Sequence, residues 1–218
     1  MRRDSPDPRA ARFRFGEEGG ADPSADRRFC LCLLAFREIL FGMKGISSTE
    51  ADAFCKVVRA ASREEAEAVS AFLLEPELFG TRLTPGEQEE FKTRPIASIG
   101  ESLEGYWYVR NGQGAISAVI GIRMNAERTG IYEVSALAVH AENRRKKLGR
   151  RLLEFAVRHV AGEHGRGLLF ETSSDPTYAP MHHLLADLGF QQVGRFPDFY
   201  FPGEDTLWYY RAIEGGPA

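Results

Sequence analysis

Six of the eight residues from Arg144 to Arg151 are basic, and Gly149 stands among them. Such a run can hold phosphate, because guanidinium and ammonium groups give charge-assisted hydrogen bonds to anionic oxygens and a glycine lets backbone N–H groups come close. The run follows an apolar strand pattern ending at Val139. It precedes an amphipathic helical pattern in which Leu148, Leu152, Phe155, Ala156 and Val160 share a face. It therefore opens a helix, where the first N–H groups lack intrahelical partners and the dipole favours an anion. A solvated basic helix start and a nucleic-acid patch are the other readings of the same residues. The net charge of −3 and the pI near 6.0 lack the basic excess of a dedicated nucleic-acid binder.

Proton transfer is the second chemistry on offer. In the segment Ile131 to His140, alternation places Ile131, Glu133, Ser135, Leu137 and Val139 on one face, and Glu133 is the only carboxylate there. Burial in an apolar strand would disfavour its charged form and suit it to accept a proton; a wet strand end or a partner arginine is the plainer reading. Tyr178 offers a hydroxyl to an acceptor or a sulfur, or else packs on a sheet. His140, His182 and His183 are further candidates, although a lone histidine is more often a surface or capping residue. Asp198, Glu204 and Asp205 can make an entrance acidic and favour a cation, or serve as ordinary loop charges. Cys30, Cys32 and Cys55 are odd in number and form no disulfide framework. That fits a reducing, cytoplasmic setting and argues against a covalent acyl-cysteine.

These groups need a scaffold, and 218 residues with 43% hydrophobic content support one sizeable core. Residues 1–28 are rich in Arg, Asp, Pro and Gly and are expected to be disordered. Phe29 to Gly42 reads as a short apolar helix, yet Met43 is an equally good start. Residues 1–42 are therefore taken as a disordered or artefactual leader and 43–218 as the folded domain. The apolar run Phe29 to Phe36 falls far short of the roughly 20 residues of a membrane span. Phe54 to Arg59, with Cys55 in the core, reads as a strand. Ser62 with Glu65 forms a capping box opening a helix to about Leu74, and Thr84, Pro85 and Glu87 open another. Strands are predicted at 105–110 and 115–124, joined by an Asn111-Gly112 turn, and at 130–140. After the helix from Leu148 come a strand at 167–172, a helix at 176–188, and strands at 190–196 and 206–212. This order predicts a mixed α/β domain whose central sheet carries helices on both faces.

From Val57 to Ile213 the element order, with the segment Arg144 to Gly149 inside it, resembles the GNAT superfamily of acyl-CoA N-acyltransferases. The segment matches that family's (Q/R)xxGx(G/A) signature, with Lys147 where the first glycine usually stands; a lysine can take helical dihedrals there and point outward. The Glu171-Thr-Ser-Ser run, Leu188-Gly-Phe190 and the DFYxPG stretch from Asp198 to Gly203 resemble one subgroup. The resemblance implies a GNAT-like mixed sheet, acetyl-CoA as cosubstrate, and direct attack of an amine on the thioester. It implies that backbone N–H groups of Leu137, Ala138 and Val139 meet the pantetheine arm or thioester. It also implies that Arg144, Arg145, Lys146, Lys147, Leu148, Gly149 and Arg150 cradle the pyrophosphate.

Glu133 stands where relatives carry an acidic base. Relatives often place a sulfur-protonating tyrosine four residues ahead of the glycine in Leu-Gly-Phe; here that residue is Leu185, which leaves Tyr178 as the first substitute, ahead of His182 and His183. The expected acceptor is a small-molecule or peptide amine, with no nucleic acid, metal or membrane involved; a homodimer is compatible with the sequence. Two rival readings remain: a non-catalytic acyl-CoA-binding regulatory module, motivated by Lys147 and Leu185, and an interaction protein that holds nucleic acid on the basic loop.

Overall fold

The computed structural model describes residues 56–76, 78–79 and 83–213. The leader at 1–42 with its apolar helix, and Cys30, Cys32 and Cys55, lie outside the described residues. In chain order the elements are β1 (Val58–Arg59), α1 (Arg63–Leu73), α2 (Pro85–Ala97), β2 (Glu104–Arg110), β3 (Ile116–Met124), β4 (Ile131–Val139), α3 (Leu148–Gly162), β5 (Gly167–Ser173), α4 (Ala179–Asp187), β6 (Gln191–Phe201) and β7 (Glu204–Ala212).

Both early helices start on the capping boxes expected of them. Ser62 Oγ accepts from the Glu65 N–H while the Glu65 carboxylate accepts from the N–H groups of Ala61 and Ser62, and Thr84 and Glu87 repeat the exchange. The Ala61 N–H first, then the Tyr108 hydroxyl and the Ser62 N–H, hold the Glu65 carboxyl down at about 2. The β2–β3 hairpin forms, but its left-handed glycine is Gly114 (φ 84°) and not Gly112. Asn111 Oδ1 accepts from the N–H groups of Gln113 and Ala115, so the side chain builds a longer loop than a two-residue turn.

The seven strands form one sheet in the order β1-β2-β3-β4-β5-β7-β6. All neighbours are antiparallel except β4 and β5, which run parallel. One face packs on α3 and α4 through Leu148, Leu152, Leu153, Ala156, Val160, Leu185 and Leu188. The opposite face packs on α1 and α2 through Val69, Phe72, Leu73 and Phe91. The helical stripe expected for α3 is buried except at Phe155, which packs partly covered at its edge. Helices on both faces of a mixed sheet are what the sequence pattern predicted.

Strand β4 corrects one expectation. Gly121 pairs with Ala136 while Ile122 pairs with Val134, so Ser135 is an extra residue bulged out of the ladder. A bulge inverts the alternation beyond it. Tyr132 and Val134 face the α3/α4 core, and past Ser135 so do Leu137 and Val139, whereas Ala136 and Ala138 join the α1/α2 core. Glu133 and Leu137 are thus on opposite faces, not on the shared face that uninterrupted alternation would give.

Candidate active site

Strands β4 and β5 separate partway along the sheet. Their parallel ladder runs only from Ile131 with Gly167 to Val134 with Phe170. Beyond it β4 stays with β3 through Val139 and β5 stays with β7 through Ser173. Among the described residues, the second half of β4, holding Leu137, Ala138 and Val139, therefore has no strand on its β5 side, and its backbone groups there can pair with a ligand's amides. A cavity of about 540 Å³ lies at this gap. Both faces of the sheet contribute to it: Val134, Leu137 and Phe170 from the α3/α4 side, Glu133, Ser135 and Glu171 from the other.

The basic loop follows directly on β4. A short 3₁₀ turn at Ala141–Asn143 leads into it, and two of its residues are left-handed, Arg145 (φ 64°) and Lys147 (φ 62°). Lys147 is the N-cap of α3 and does not take helical dihedrals, contrary to expectation. A left-handed non-glycine residue costs about 1–2 kcal/mol, which gives a physical reason for the glycine of the family signature. Among the described residues no side chain makes a capping hydrogen bond to the start of α3.

Three of the expected phosphate ligands use their side chains as braces. Arg144 donates to the carbonyls of Leu78 (2.6 Å) and Val139 (3.3 Å), tying the loop to the connector after α1 and to β4. Lys146 donates to Asn143 Oδ1 at 2.9 Å, and Arg150 pairs with Asp187 on α4 at 2.9 Å. Leu148 is core. Arg145 and Lys147, the left-handed pair, are exposed. At Gly149 a Cβ would sit 3.6 Å from Leu184 Cδ2 and 3.9 Å from Val139 Cγ2, ordinary contact distances. Packing alone therefore does not require a glycine at this position.

Glu133 lines the cavity, but not in apolar surroundings. Arg123 donates from Nε to Glu133 Oε2 at 3.0 Å and from Nη1 to Glu90 Oε1 at 2.5 Å, so one guanidinium on β3 bridges carboxylates of β4 and α2. Tyr178 also lines the cavity, and its hydroxyl donates to the Phe79 carbonyl at 3.0 Å, holding down the connector between α1 and α2. Leu185 is fully buried in the core and does not line the cavity. The three histidines also lie outside that wall. His182 places Nε2 2.9 Å from the Ser173 carbonyl, His140 is 4.0 Å from the Glu75 carboxylate, and His183 is exposed.

Four wall residues escaped the sequence reading: Glu90, Arg123, Glu171 and Tyr200. The last two belong to the motifs that carry the subgroup resemblance, and the structure shows those motifs gripping each other. Tyr200 donates to Glu171 Oε1 at 3.0 Å, Ser173 Oγ donates to Glu204 Oε1 at 2.5 Å, and Ser174 Oγ accepts from the Asp205 N–H at 2.9 Å. Burial first, then the Glu171 charge, pushes the Tyr200 phenol far up, so it stays a donor. Of the three acids expected at an entrance, only Glu204 reaches the cavity. Asp205 pairs with Arg195 and accepts the Asp198 N–H, and Asp198 accepts the Gly203 N–H at 2.6 Å, so both lock the β6–β7 hairpin. Among the described residues no His, Cys, Asp or Glu cluster could hold a metal, and no helix is long and apolar enough to cross a membrane.

The sequence profile of the Acetyltransferase (GNAT) family matches residues 72–190, a span from α1 to the start of β6. No curated protein matches the chain in sequence. Among solved structures, a GNAT-family protein from Desulfovibrio desulfuricans superposes with a TM-score of 0.62 at 21% identity, covering 72% of this chain and 98% of its own. The ribosomal-protein-S18-alanine N-acetyltransferase of Escherichia coli gives 0.57 at 17% identity, over 72% and 94% of the two chains. An aminoglycoside 6'-N-acetyltransferase complexed with coenzyme A gives 0.54 at 16% identity, over 75% and 99%. At these identities the likeness is one of fold.

Proposed function

The chain belongs to the Acetyltransferase (GNAT) family, and on that premise we propose that it moves an acetyl group from acetyl-CoA to an amine by direct attack in a ternary complex. The observation that carries this reading is the opening between β4 and β5, which adjoins a basic helix start and holds a cavity with an acidic wall. The pyrophosphate sits on the loop Arg144 to Gly149 against the N-terminus of α3. The pantetheine arm pairs along Leu137, Ala138 and Val139 in place of the missing strand, which presents the thioester to the cavity.

There the amine nitrogen forms its bond to the thioester carbon, the carbon–sulfur bond breaks, and CoA leaves as the thiolate. The ammonium gives its first proton to Glu133, which Arg123 keeps aimed into the cavity, and so becomes the attacking amine. The second nitrogen proton, lost as the tetrahedral adduct collapses, goes to the departing thiolate or to water. Thiols titrate near ~8.5, so the thiolate is a tolerable leaving group without a dedicated acid. Tyr178 contributes by fixing the connector over the cavity through Phe79. The reading is tested by incubating the protein with acetyl-CoA and a set of amines and measuring free thiol. Binding of acetyl-CoA without thiol release from any amine would instead favour the regulatory-module reading, to which Leu185 in the core lends support.

A further inference from the structure

The cavity that would receive the amine is strongly unbalanced in charge. Among the described residues its wall carries the carboxylates of Glu87, Glu90, Glu133, Glu171 and Glu204 against a single cation, Arg123. Glu87 closes a capping box at the start of α2, where the helix dipole meets its charge. Glu90 and Glu133 share Arg123, leaving one negative charge between them. Among the described residues, Glu171 and Glu204 are answered by neutral donors, the Tyr200 and Ser173 hydroxyls.

Carboxylates held in a walled cavity without a counter-cation are costly, and a lone ammonium would offset only part of this surplus. Burial first, and after it the charges of Glu171 and, least, Glu87, raise the phenol of Tyr200. The same wall is aromatic. Phe79 stacks on Phe91 at 5.2 Å, Phe199 meets Tyr200 edge-on at 5.1 Å, and Trp208 completes the lining. Aromatic faces beside carboxylates suit alkylammonium groups, which gain from the ring quadrupole as well as from the charges. A zwitterionic amino acid would bring its own carboxylate into the same field and be repelled.

We propose that the acceptor is a polycation: an amine with at least one positive charge besides the reacting ammonium, that further charge being held by Glu171 and Glu204 against the aromatic wall. This rests on the acyl-transfer reading of the cavity. The test compares thiol release from acetyl-CoA with spermidine, kanamycin, tyramine and glycine, at low and at about 0.3 M salt. We expect kcat/KM for one or both polycations to exceed that for tyramine by about tenfold or more, equivalent to about 1.4 kcal/mol. That advantage should shrink at high salt and in Glu171→Gln and Glu204→Gln, while the acetyl-CoA melting shift of these variants stays unchanged. Equal or better use of tyramine or glycine overturns the proposal, as does a polycation advantage indifferent to salt. If acetyl-CoA raises the melting temperature but neither polycation is acetylated or bound by calorimetry, the polycation falls and acyl transfer stands. If acetyl-CoA neither binds nor releases thiol, the acyl-transfer reading itself has failed.

Discussion

The basic loop at the start of α3 and the acidic cavity at the β4–β5 opening are built in contrasting ways. The loop is contiguous, with its cations inside eight residues of chain, and the anion site proposed there rests mainly on backbone N–H groups at a helix end. The cavity is assembled from α2, β3, β4, β5 and β7, with one charged residue or two from each. A local site tolerates side-chain change as long as its backbone path survives. An assembled site depends on individual carboxylates and on the register that brings them together. The two ends should therefore respond to mutation in opposite ways.

The largest expected effect is at the cavity. Glu133→Gln should lower kcat/KM by about 10²–10⁴ at neutral pH, the usual range for one general acid–base group, while leaving acetyl-CoA binding unchanged. The measurement is steady-state kinetics with an identified acceptor beside an acetyl-CoA melting shift. Equal activity in the mutant would assign the proton to another carboxylate of the wall and weaken the claim that single side chains govern this end. At the loop the corresponding change is to the backbone approach. Acetyl-CoA at a hundredfold excess over its Kd should stabilise the fold by about 2.7 kcal/mol, and Gly149→Glu should abolish that shift by placing a carboxylate against the pyrophosphate. Gly149→Ala, for which the packing has room, should keep the fold and part of the shift. An intact shift in Gly149→Glu would place the phosphate site elsewhere.

A smaller effect separates backbone from charge within the loop. Lys147→Gly removes a cation but relieves the left-handed conformation, so the free protein should gain on the order of 1 kcal/mol in thermal or urea unfolding. Acetyl-CoA affinity should hold or improve if backbone N–H groups dominate. A clear loss of affinity would mean that the Lys147 ammonium itself contacts phosphate.

The same contrast explains what the sequence disclosed. Capping boxes, the α3 stripe and the basic loop are local patterns, and each folds as its neighbours in the chain dictate. The bulge at Ser135 is different: it exists because β4 slips by one residue against β3, and nothing within β4 alone announces a two-against-one pairing. That slip moved Leu137 and Val139 off the face of Glu133. Arg123 likewise gave no local sign, because its partners lie on α2 and β4. Glu171 and Tyr200 lay in plain view inside quoted motifs. Missing was the knowledge that the two motifs grip each other across β5, β7 and the β6–β7 hairpin.

The smallest expected effect is at His159, remote from both ends, and it checks that the contrast is not one of global stability. Its ring lies 4.6 Å from that of Trp107 and stacks on Phe155 at 5.8 Å, with the Arg59 guanidinium over the same Trp107. Burial first, and the Arg59 charge after it, hold His159 below its ordinary value of 6.5, against an opposing pull from Glu163. The folded protein therefore resists protonation that the unfolded chain accepts near 6.5. Between that value and the lower folded one, the unfolded state binds more protons, so the stability present above 6.5 is lost as the pH falls through the window. Wild type should melt at a lower temperature at about pH 5.5 than at about pH 7.5, and His159→Gln should flatten that difference. The acetyl-CoA shift should be the same in variant and wild type at each pH, since Trp107, Phe155 and His159 belong neither to the basic loop nor to the lining of the cavity. A pH slope identical in His159→Gln would move the titration to other groups. A change in the acetyl-CoA shift would show that the loop feels the far end of α3, and the separation of local from assembled sites would have to be redrawn.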